Sequence, residues 1–353
     1  MKYVLAIDSF KGCLSSLEAE KTIAKVFNEK GTDTLCLPMS DGGEGMLEAF
    51  TSALGGTLQP VYIHNHMMRR VDAQYGITAD GTAIIEVAQA CGLNQIKEDE
   101  RNPMRSTTYG VGELLARAVK RGCRKFIIGL GGTGTSDAGI GMIRALVDIF
   151  ARGKNFDEAM KTELGECCFT LASDVSNPLC GENGAAHVFA PQKGATPEMV
   201  EQLDRRARLF AEKSALHFGF DKSEEPGAGA AGGLGYAFMQ YLGAEIKSGA
   251  DLLLDLIDFN DKIKDADLVI TGEGRADRQT LMGKLPQRIL ERGKHGGVPV
   301  GLVAGQIAEK ERLLSAGFAF ADCITPKGQP LAEAIKKETA LGNLQRWAAS
   351  LSL

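Results

Sequence analysis

The chain has 353 residues, more than a single hydrophobic core usually holds, so its length predicts two domains. Hydrophobic residues make up 44% and charged residues 24%, as in an ordinary globular protein. The formal net charge of −5 argues against a main role in binding nucleic acid or an anionic membrane.

The apolar run at residues 3–7 is too short for a signal peptide, and no apolar run is long enough to cross a membrane. The eight cysteines include no C-x-x-C pair, so we expect reduced structural thiols rather than disulfides or a zinc site. His64 and His66 form an H-x-H motif, but no further metal ligands are spaced around it, and a surface strand explains it better. Together these features predict a cytoplasmic protein.

The first elements alternate between strand and helix. Residues 2–7 predict a buried strand, and residues 15–31 predict a helix that begins with a capping box of Ser15 and Glu18. The next predicted elements are a strand at 32–39, a helix at 43–56 and a strand at 57–64.

The pattern changes after residue 64. Residues 69–88 alternate apolar and polar side chains around Asp80-Gly81, which predicts a β-hairpin. The elements predicted after it are a helix at 106–122, a strand at 125–130, a glycine-rich turn entering a helix at 131–146, a strand with its polar loop at 167–179, and a helix at 197–217. Strand–helix alternation resumes at 265 and ends in a helix at 330–350.

This order predicts an α/β protein with parallel sheets covered on both faces. We expect the two chain ends, residues 1–64 and 264–353, to form one doubly wound domain. Residues 65–263 would form an inserted mixed α/β domain, with the active site in the cleft between the two domains.

Acidic, basic and glycine residues collect in the loops that follow predicted strands. In open α/β sheets, ligands bind at the carboxyl ends of the strands, so we expect five such loops to converge on one crevice. The loops are those at Asp8–Gly12, Ser40–Gly45, Gly131–Asp137, Asp174–Ala195 and Glu273–Asp277.

The residue types in these loops suit a particular chemistry. Glycine allows backbone N–H groups to approach a phosphate closely, and a following helix adds its positive end. Carboxylates would repel that phosphate unless a hard cation such as Mg²⁺ lay between them. The composition therefore predicts a magnesium nucleotide and an anionic co-substrate.

Two common nucleotide motifs do not apply. Gly283-Lys284 lacks the Ser or Thr and the upstream glycine of a Walker A motif. Residues 227–232 match G-x-G-x-x-G, but no strand precedes them, which disfavours a dinucleotide site. The glycines of 227–238 fit either a nucleotide wall or close packing against a neighbouring segment.

Several blocks of the sequence stand out, and most of them are long: AIDSFKGCLSS (6–16), PMSDGGEGM (38–46), GLGGTGTSDAGIGM (129–142), SDVSNPLCGENGAA (173–186), PQKGA (191–195), GAGAAGGLGYA (227–237) and DLVITGEGRADRQTLMGKLP (267–286). These blocks resemble the glycerate kinases of the bacterial type I family. The blocks follow the family's order. The chain differs at small residues: Thr133 to Ser136 replace Ser-Ala-Thr-Asn, Ser40 replaces Ala, and Ala190 replaces Gly.

The resemblance implies ATP- and Mg²⁺-dependent phosphorylation of D-glycerate, typically to 2-phosphoglycerate. It also implies a flavodoxin-like domain built from both chain ends and an inserted domain of different topology. No nucleic-acid or membrane partner is expected. The oligomeric state is left open, with a homodimer among the options.

We assign candidate roles on this basis. Phosphoryl transfer depends on positioning and on charge neutralisation. The catalytic candidates are Asp174 or Asp137 as proton acceptor, with Lys193; the substrate-binding candidates are Asp8, Lys11, Asp41, Glu44 and Arg275. The cofactor-binding candidates are Gly131, Gly132, Gly134, Gly229, Gly232, Gly233 and Lys284, and the metal ligands are Glu273 and Asp277. For each acid the alternative is a helix N-cap, most strongly for Asp137 and Asp41.

Two other classes of protein remain as alternatives. A nicotinamide-dependent oxidoreductase acting on a small hydroxy acid would also be an α/β protein with glycine-rich turns. A non-catalytic sensor of sugar acids would likewise have two α/β domains, and it would bind glycerate without consuming ATP.

Overall fold

The computed structural model describes residues 1–10 and 12–351, so the substrate-binding candidate Lys11 lies outside the described residues. The chain forms two compact units, Met1–Leu54 with Ala250–Leu353 and Gly55–Gly249. We call them the terminal unit and the inserted unit. No helix of the described residues is long and apolar enough to cross a membrane.

The secondary structure alternates as the sequence predicts. The strands are β1 (Lys2–Ile7), β2 (Asp33–Cys36), β3 (Thr57–His64), β4 (Arg70–Ile77), β5 (Ala83–Glu86), β6 (Lys125–Gly129), β7 (Cys168–Ala172), β8 (Glu245–Lys247), β9 (Leu268–Ala276), β10 (Val300–Ile307) and β11 (Phe320–Cys323). The α-helices are α1 (Ser16–Glu29), α2 (Met46–Ala53), α3 (Ala88–Cys91), α4 (Tyr109–Lys120), α5 (Ile140–Phe150), α6 (Phe156–Met160), α7 (Ala185–Phe189), α8 (Pro197–Phe218), α9 (Ala230–Leu242), α10 (Gly249–Leu256), α11 (Phe259–Ile263), α12 (Leu285–Gly296), α13 (Lys310–Ala316), α14 (Leu331–Ala334) and α15 (Lys337–Ser350).

The terminal unit contains a five-stranded parallel sheet in the order β11-β10-β9-β1-β2. Numbered along the chain within this unit, the order is 2-1-3-4-5, which is that of flavodoxin-like doubly wound sheets. The predicted flavodoxin-like fold is therefore confirmed. The strand order reverses between β1 and β9, where Tyr3 lies beside Leu268 and Ile7 beside Gly272.

Helix α1 shows how the sequence forms this unit. The Ser15 side chain accepts a hydrogen bond from the Glu18 N–H, and the Glu18 carboxylate accepts one from the Ser15 N–H, so the predicted capping box is present. On the inner face of the helix, Ile23 and Phe27 pack into the core with Trp347 of α15. Each such buried side chain contributes about 1.5–3 kcal/mol relative to an exposed one.

The inserted unit contains a six-stranded mixed sheet in the order β3-β4-β5-β6-β7-β8. The β3–β4 and β4–β5 pairs are antiparallel and the other pairs are parallel, which confirms the mixed α/β prediction. The predicted hairpin at 69–88 is β4 and β5, joined by a turn in which Gly81 has φ +82°.

The unit boundaries differ from the predicted 64/65 and 263/264. Strand β3 pairs with β4 along its whole length, from Thr57 opposite Ile77 to His64 opposite Arg70, so the inserted unit begins at Gly55. Most of α10 and all of α11 belong to the terminal unit. An apolar strand pattern does not reveal which sheet the strand joins, and this explains the difference.

Two predicted elements also differ in extent. The strand predicted at 265–271 is β9, which begins at Leu268 and continues through the polar segment to Ala276, because β10 pairs with it as far as Ile307 opposite Ala276. The predicted helix at 330–350 is two helices, α14 and α15, separated where Lys336 adopts an extended conformation.

Candidate functional site

A cavity of about 310 Å³ opens in the terminal unit at the carboxyl ends of β1 and β9. These strands form the point where the strand order reverses, which is where flavodoxin-like sheets bind their ligands. Five of the candidates predicted from the sequence line this cavity: Asp8, Asp41, Glu273, Arg275 and Lys284. They come from four separate segments of the chain, and the fold of this unit brings them together.

The loops after β1 and β2 position the first two acids. The Asp8 N–H donates to the Gly272 carbonyl oxygen over 2.9 Å, and Asp8 Oδ1 accepts from the Ser9 N–H over 2.7 Å. Asp41 Oδ1 accepts from the Gly43 N–H over 3.0 Å. A Cβ atom at Gly43 would lie only 2.9 Å from that same oxygen, so a larger residue there would displace the Asp41 carboxylate.

Two buried side chains of α1 lie beneath these loops. Ser16 Oγ donates to the Ile7 carbonyl oxygen over 2.5 Å and accepts from the Met39 N–H over 2.9 Å. Glu20 Oε1 accepts from the Ile7 N–H over 2.9 Å, and burial raises the pKa of the Glu20 carboxyl well above its ordinary value. Helix α1 therefore ties the end of β1 to the segment that leads to Asp41.

Glu273 belongs to β9 itself and is 8% exposed. Its Oε1 accepts from the Thr280 hydroxyl over 2.6 Å, and that hydroxyl oxygen accepts from the Asp277 N–H over 2.9 Å. Thr280 is completely buried. A short chain of hydrogen bonds thus holds the Glu273 carboxylate at the cavity wall.

Asp277 has a different environment from Glu273. Its Oδ1 accepts from the Gln279 N–H over 2.8 Å, as the N-cap of the 3₁₀ helix Arg278–Leu281, and its Oδ2 lies 3.4 Å from Arg275 Nε. Asp277 therefore has the role of a helix N-cap, which was the alternative to a catalytic or binding role for each candidate acid. Its side chain is not part of the cavity lining, whereas Asp8 and Asp41 are.

Two cationic side chains complete the wall. Lys284 is the residue before α12, and its Nζ lies 4.0 Å from Glu273 Oε2. Arg275 projects from β9 with its side chain 67% exposed. Lysine and arginine beside carboxylates provide the mixture of charges that a magnesium–phosphate ligand requires.

The carboxylates of the cavity are the candidate ligands for a metal ion. Among residues 1–10 and 12–351, no group of three or more His, Cys, Asp or Glu side chains is arranged to hold a metal ion by itself. Mg²⁺ commonly uses one or two protein carboxylates and takes its other ligands from water and phosphate. Asp8, Asp41 and Glu273 fit that manner of binding.

The glycine-rich loop after β6 lies in the inserted unit. The Leu93 N–H donates to the Gly132 carbonyl oxygen over 2.7 Å, and the Gly134 N–H donates to the Cys91 carbonyl oxygen over 2.8 Å. A Cβ atom at Gly134 would lie 2.4 Å from Ile96 Cδ1. Gly131 and Gly132 are less buried and form the turn itself.

Lys193 supports this loop from beneath. It is 3% exposed, and its Nζ donates to the Thr135 carbonyl oxygen over 2.7 Å and to Thr133 Oγ1 over 3.3 Å. Burial lowers the pKa of Lys193 to about 8. The structure therefore places Lys193 as a support of the loop backbone.

Asp137 accepts several hydrogen bonds. Its Oδ2 accepts from the Thr108 and Gly141 N–H groups over 2.8 and 3.1 Å, and its Oδ1 accepts from the Gly139 N–H over 3.1 Å. The Thr108 hydroxyl donates to the same carboxylate. Burial raises the pKa of Asp137, although these hydrogen bonds act to lower it. This carboxylate joins α4 to the start of α5.

The second glycine-rich segment packs closely against the first. A Cβ atom at Gly232 would lie 2.1 Å from the Thr135 carbonyl oxygen, and one at Gly233 would lie 2.8 Å from Ala138 Cα. A Cβ atom at Gly229 would lie 2.3 Å from the Pro178 carbonyl oxygen. These glycines could form a nucleotide wall or allow close packing against a neighbouring segment. The contacts in the structure are those of close packing.

The remaining candidates are on exposed loops. Asp174 follows β7 and is exposed, as is Glu44 in the loop before α2. Ser16, Glu20 and Thr280, which hold the cavity residues in place, were not among the site residues predicted from the sequence. Each resembles an ordinary helix or turn residue in the sequence, and only its tertiary contacts distinguish it.

Comparison with known proteins identifies the family of this chain. The family model described as "Glycerate kinase family" matches residues 3–352. The chain belongs to the glycerate kinase family. It is therefore a phosphotransferase, and this assignment disfavours the oxidoreductase and sensor alternatives.

The relatives support the family assignment along the whole chain. A glycerate kinase of Bacillus subtilis (strain 168) is 38% identical, covering 100% of this chain and 97% of the relative. A glycerate 2-kinase of Escherichia coli (strain K12) is 38% identical over 88% of this chain and 86% of its own length. The crystal structure of a candidate glycerate kinase 2 from Salmonella typhimurium LT2 is 36% identical, with a TM-score of 0.83 over 99% of this chain and 96% of that one.

Proposed function

We propose that this glycerate kinase family member transfers the γ-phosphoryl group of ATP to a hydroxyl group of D-glycerate, with Mg²⁺, and forms 2-phosphoglycerate. The observation that carries the proposal is the cavity in which Asp8, Asp41 and Glu273 lie with Lys284 and Arg275. The similarity to a glycerate 2-kinase supports the choice of product.

The acidic and the basic residues of the cavity would have different roles. Asp8, Asp41 and Glu273 are the carboxylates that would hold Mg²⁺, which when bound supplies charge neutralisation at the phosphates. Lys284 and Arg275 would bind phosphate or the glycerate carboxylate, and Arg275 could use its two-pronged guanidinium for this. Asp277 would act by holding Arg275 and Thr280 rather than as a ligand.

The proton acceptor is proposed to be Asp174. The Asp137 carboxylate already accepts hydrogen bonds from three backbone N–H groups, so it has little capacity left to remove a proton. Lys193 and the glycines at 131–134 would shape a phosphate-binding loop of the inserted unit. Gly232 and Gly233 would contribute through that loop, because they pack against Thr135 and Ala138, whereas Gly229 packs against Pro178.

The cysteines bear on the location of the protein in the cell. The eight cysteines, all in the described residues, are free thiols, and burial raises the pKa of Cys91 and Cys180 to about 12. Free thiols without disulfides support a cytoplasmic location.

A ³¹P NMR assay with ATP, Mg²⁺ and D-glycerate tests the proposal directly. We expect a new phosphomonoester signal whose coupling identifies 2-phosphoglycerate. The 3-phosphoglycerate signal would overturn the product assignment and retain the kinase. Intact ATP with D-glycerate, but turnover with another hydroxy acid, would overturn the substrate assignment.

Asp174→Asn tests the proposed proton acceptor in the same assay. We expect kcat to fall by about 10²–10⁴-fold, the usual contribution of a general base, with an unchanged thermal midpoint. Glu224→Gln, which alters an exposed loop acid of the same unit outside the candidate set, is the matched comparison. Turnover by Asp174→Asn at the wild-type rate would remove Asp174 from the mechanism.

A further inference from the structure

A second cavity, of about 390 Å³, lies wholly within the inserted unit. Its volume falls in the usual range for small-molecule sites. We call it the arginine cavity, because three arginines line it together with polar side chains: Arg69, Arg101, Arg105, His66, Gln95 and Asn102.

The three guanidinium groups are not engaged with carboxylates. Among residues 1–10 and 12–351, none of the three forms an ion pair, whereas the neighbouring Arg70 lies 3.4 Å from Glu113. The Arg101 Nε atom is buried and has no hydrogen-bond partner in the same described residues. A buried charged donor without a hydrogen-bond partner is costly in free energy. The arrangement therefore favours binding of a hydrogen-bond acceptor in the cavity.

His66 is a second group of this cavity with a buried polar atom that lacks a hydrogen-bond partner in the described residues. The residue is 7% exposed, and its Nδ1 atom is buried without a hydrogen-bond partner in the described residues. Burial, and then the charge of Arg69, lower the pKa of this imidazole, so His66 is neutral at pH 7. It can therefore donate or accept one hydrogen bond at the wall of the cavity.

The backbone holds the arginine segment in place. A Cβ atom at Gly194 would lie 2.6 Å from the Arg101 carbonyl oxygen, so this segment packs directly against the turn that carries Lys193. Asn102 Oδ1 accepts from the Met104 N–H over 3.0 Å and fixes the turn before Arg105. A ligand would therefore meet guanidinium groups on a fixed turn rather than on a free loop.

Two exposed acids, Asp99 and Glu100, also line the cavity. Three arginines and two acids leave a formal charge of +1 on the lining, since 3 − 2 = 1. The exposed carboxylates keep their hydration, whereas Arg101 is half-buried, so the charge of Arg101 is less screened than the charges of the two acids. A doubly charged oxyanion gains more from such a site than a singly charged one.

We propose that the arginine cavity binds a phosphate group, carried by a nucleotide or by a phosphorylated metabolite. Guanidinium groups match the oxygen geometry of phosphate and bind it through paired hydrogen bonds. The buried His66 nitrogen supplies one further hydrogen bond. The inference concerns ligand binding and does not depend on which acid the enzyme phosphorylates.

Calorimetric titration of the full chain with inorganic phosphate tests this proposal. We compare the wild type with the double variant Arg69→Met/Arg105→Met, which alters two exposed side chains and should fold normally. Phosphate affinity should fall at least tenfold. Arg117→Met removes an exposed charge of the same unit outside the cavity, and it should retain the wild-type affinity.

Titrations with ATP and with phosphoglycerate identify the source of the phosphate. A parallel loss of ATP affinity assigns the site to a nucleotide, and a loss for phosphoglycerate alone assigns it to a phosphorylated metabolite; both outcomes support the proposal. Equal phosphate binding by the wild type and the double variant would overturn it, as would no phosphate binding by the wild type. A selective loss of D-glycerate binding would make the cavity a carboxylate site and would also overturn it.

Discussion

The Thr280 hydroxyl lies 2.6 Å from Glu273 Oε1, and both side chains are buried. The same hydroxyl oxygen accepts from the Asp277 N–H over 2.9 Å, so a single threonine joins the N-cap of a 3₁₀ helix to the acid at the cavity wall. This relationship makes the orientation of Glu273 dependent on a residue that does not line the cavity itself.

Thr280→Val should impair catalysis through Glu273. The substitution keeps the shape of the side chain but removes the hydroxyl that donates to Glu273 Oε1, and the loss of a buried hydrogen bond of this kind costs about 1–3 kcal/mol. We expect kcat/KM to fall roughly tenfold and the Mg²⁺ concentration for half-maximal rate to rise. Thr280→Ser keeps the hydroxyl and should retain most activity; equal losses in both variants would show that the hydrogen bond is not the cause.

Glu273→Gln tests the preferred metal ligand. The amide removes the negative charge at the cavity wall, so we expect a loss of at least about 100-fold in kcat/KM and a weaker response to Mg²⁺. Asp277→Asn should have a smaller effect, which acts mainly on stability because Asp277 caps a helix. Glu291→Gln, an exposed change on α12, is the neutral comparison, and a larger loss for Asp277→Asn than for Glu273→Gln would restore Asp277 as the main ligand.

Lys193 should make stability depend on pH in the alkaline range. Its pKa is about 8 in the folded chain and near 10.5 in the unfolded chain, so the unfolded state binds more protons between these values. The free energy of unfolding should therefore rise as the pH increases from 8 towards 10. Below pH 8 the destabilising contribution of the buried, charged Lys193 is fully present. Denaturant unfolding at pH 7.5 and 9.5 should show a smaller rise for Lys193→Met, and equal rises would mean that Lys193 keeps its ordinary pKa.

Glu20 should have the opposite dependence on pH. Burial raises the pKa of its carboxyl, so the folded state retains a proton that the unfolded state loses as the pH rises past the ordinary value. Glu20→Gln mimics the protonated form. The unfolding midpoint of Glu20→Gln, relative to that of the wild type, should therefore increase from pH 4.5 to pH 8. An unchanged difference across that range would contradict a protonated Glu20.

Gly232→Ala should be strongly destabilising. The position has φ +70°, and the new Cβ atom would lie 2.1 Å from the Thr135 carbonyl oxygen, so both backbone strain and a clash oppose it. Gly243→Ala is the matched comparison, because φ is +62° there and no atom lies within 4 Å of the new Cβ. We expect a loss of about 1–2 kcal/mol from strain at Gly243 and a clearly larger loss at Gly232. Equal thermal midpoints would show that the two glycine-rich segments do not pack as described.

Local patterns in the sequence predicted much of the fold. The Ser15–Glu18 capping box, the hairpin around Gly81 and the buried strand at residues 2–7 are all present. Each depends on neighbouring residues, so each can be inferred without knowledge of the rest of the chain. The blocks that resemble glycerate kinases also lie within continuous segments, and the family assignment confirms them.

Long-range contacts explain the features of the fold that differ from the predictions. Strand β9 continues to Ala276 because β10 pairs with it, and β3 belongs to the inserted unit because β4 lies beside it. Within the site, composition identified Asp8, Asp41, Glu273, Arg275 and Lys284 as candidates, but it could not distinguish a cavity acid from the cap at Asp277. The physical reason is that side-chain chemistry is encoded at each position, whereas burial and hydrogen-bond partners depend on segments that are distant in the chain and adjacent only after folding.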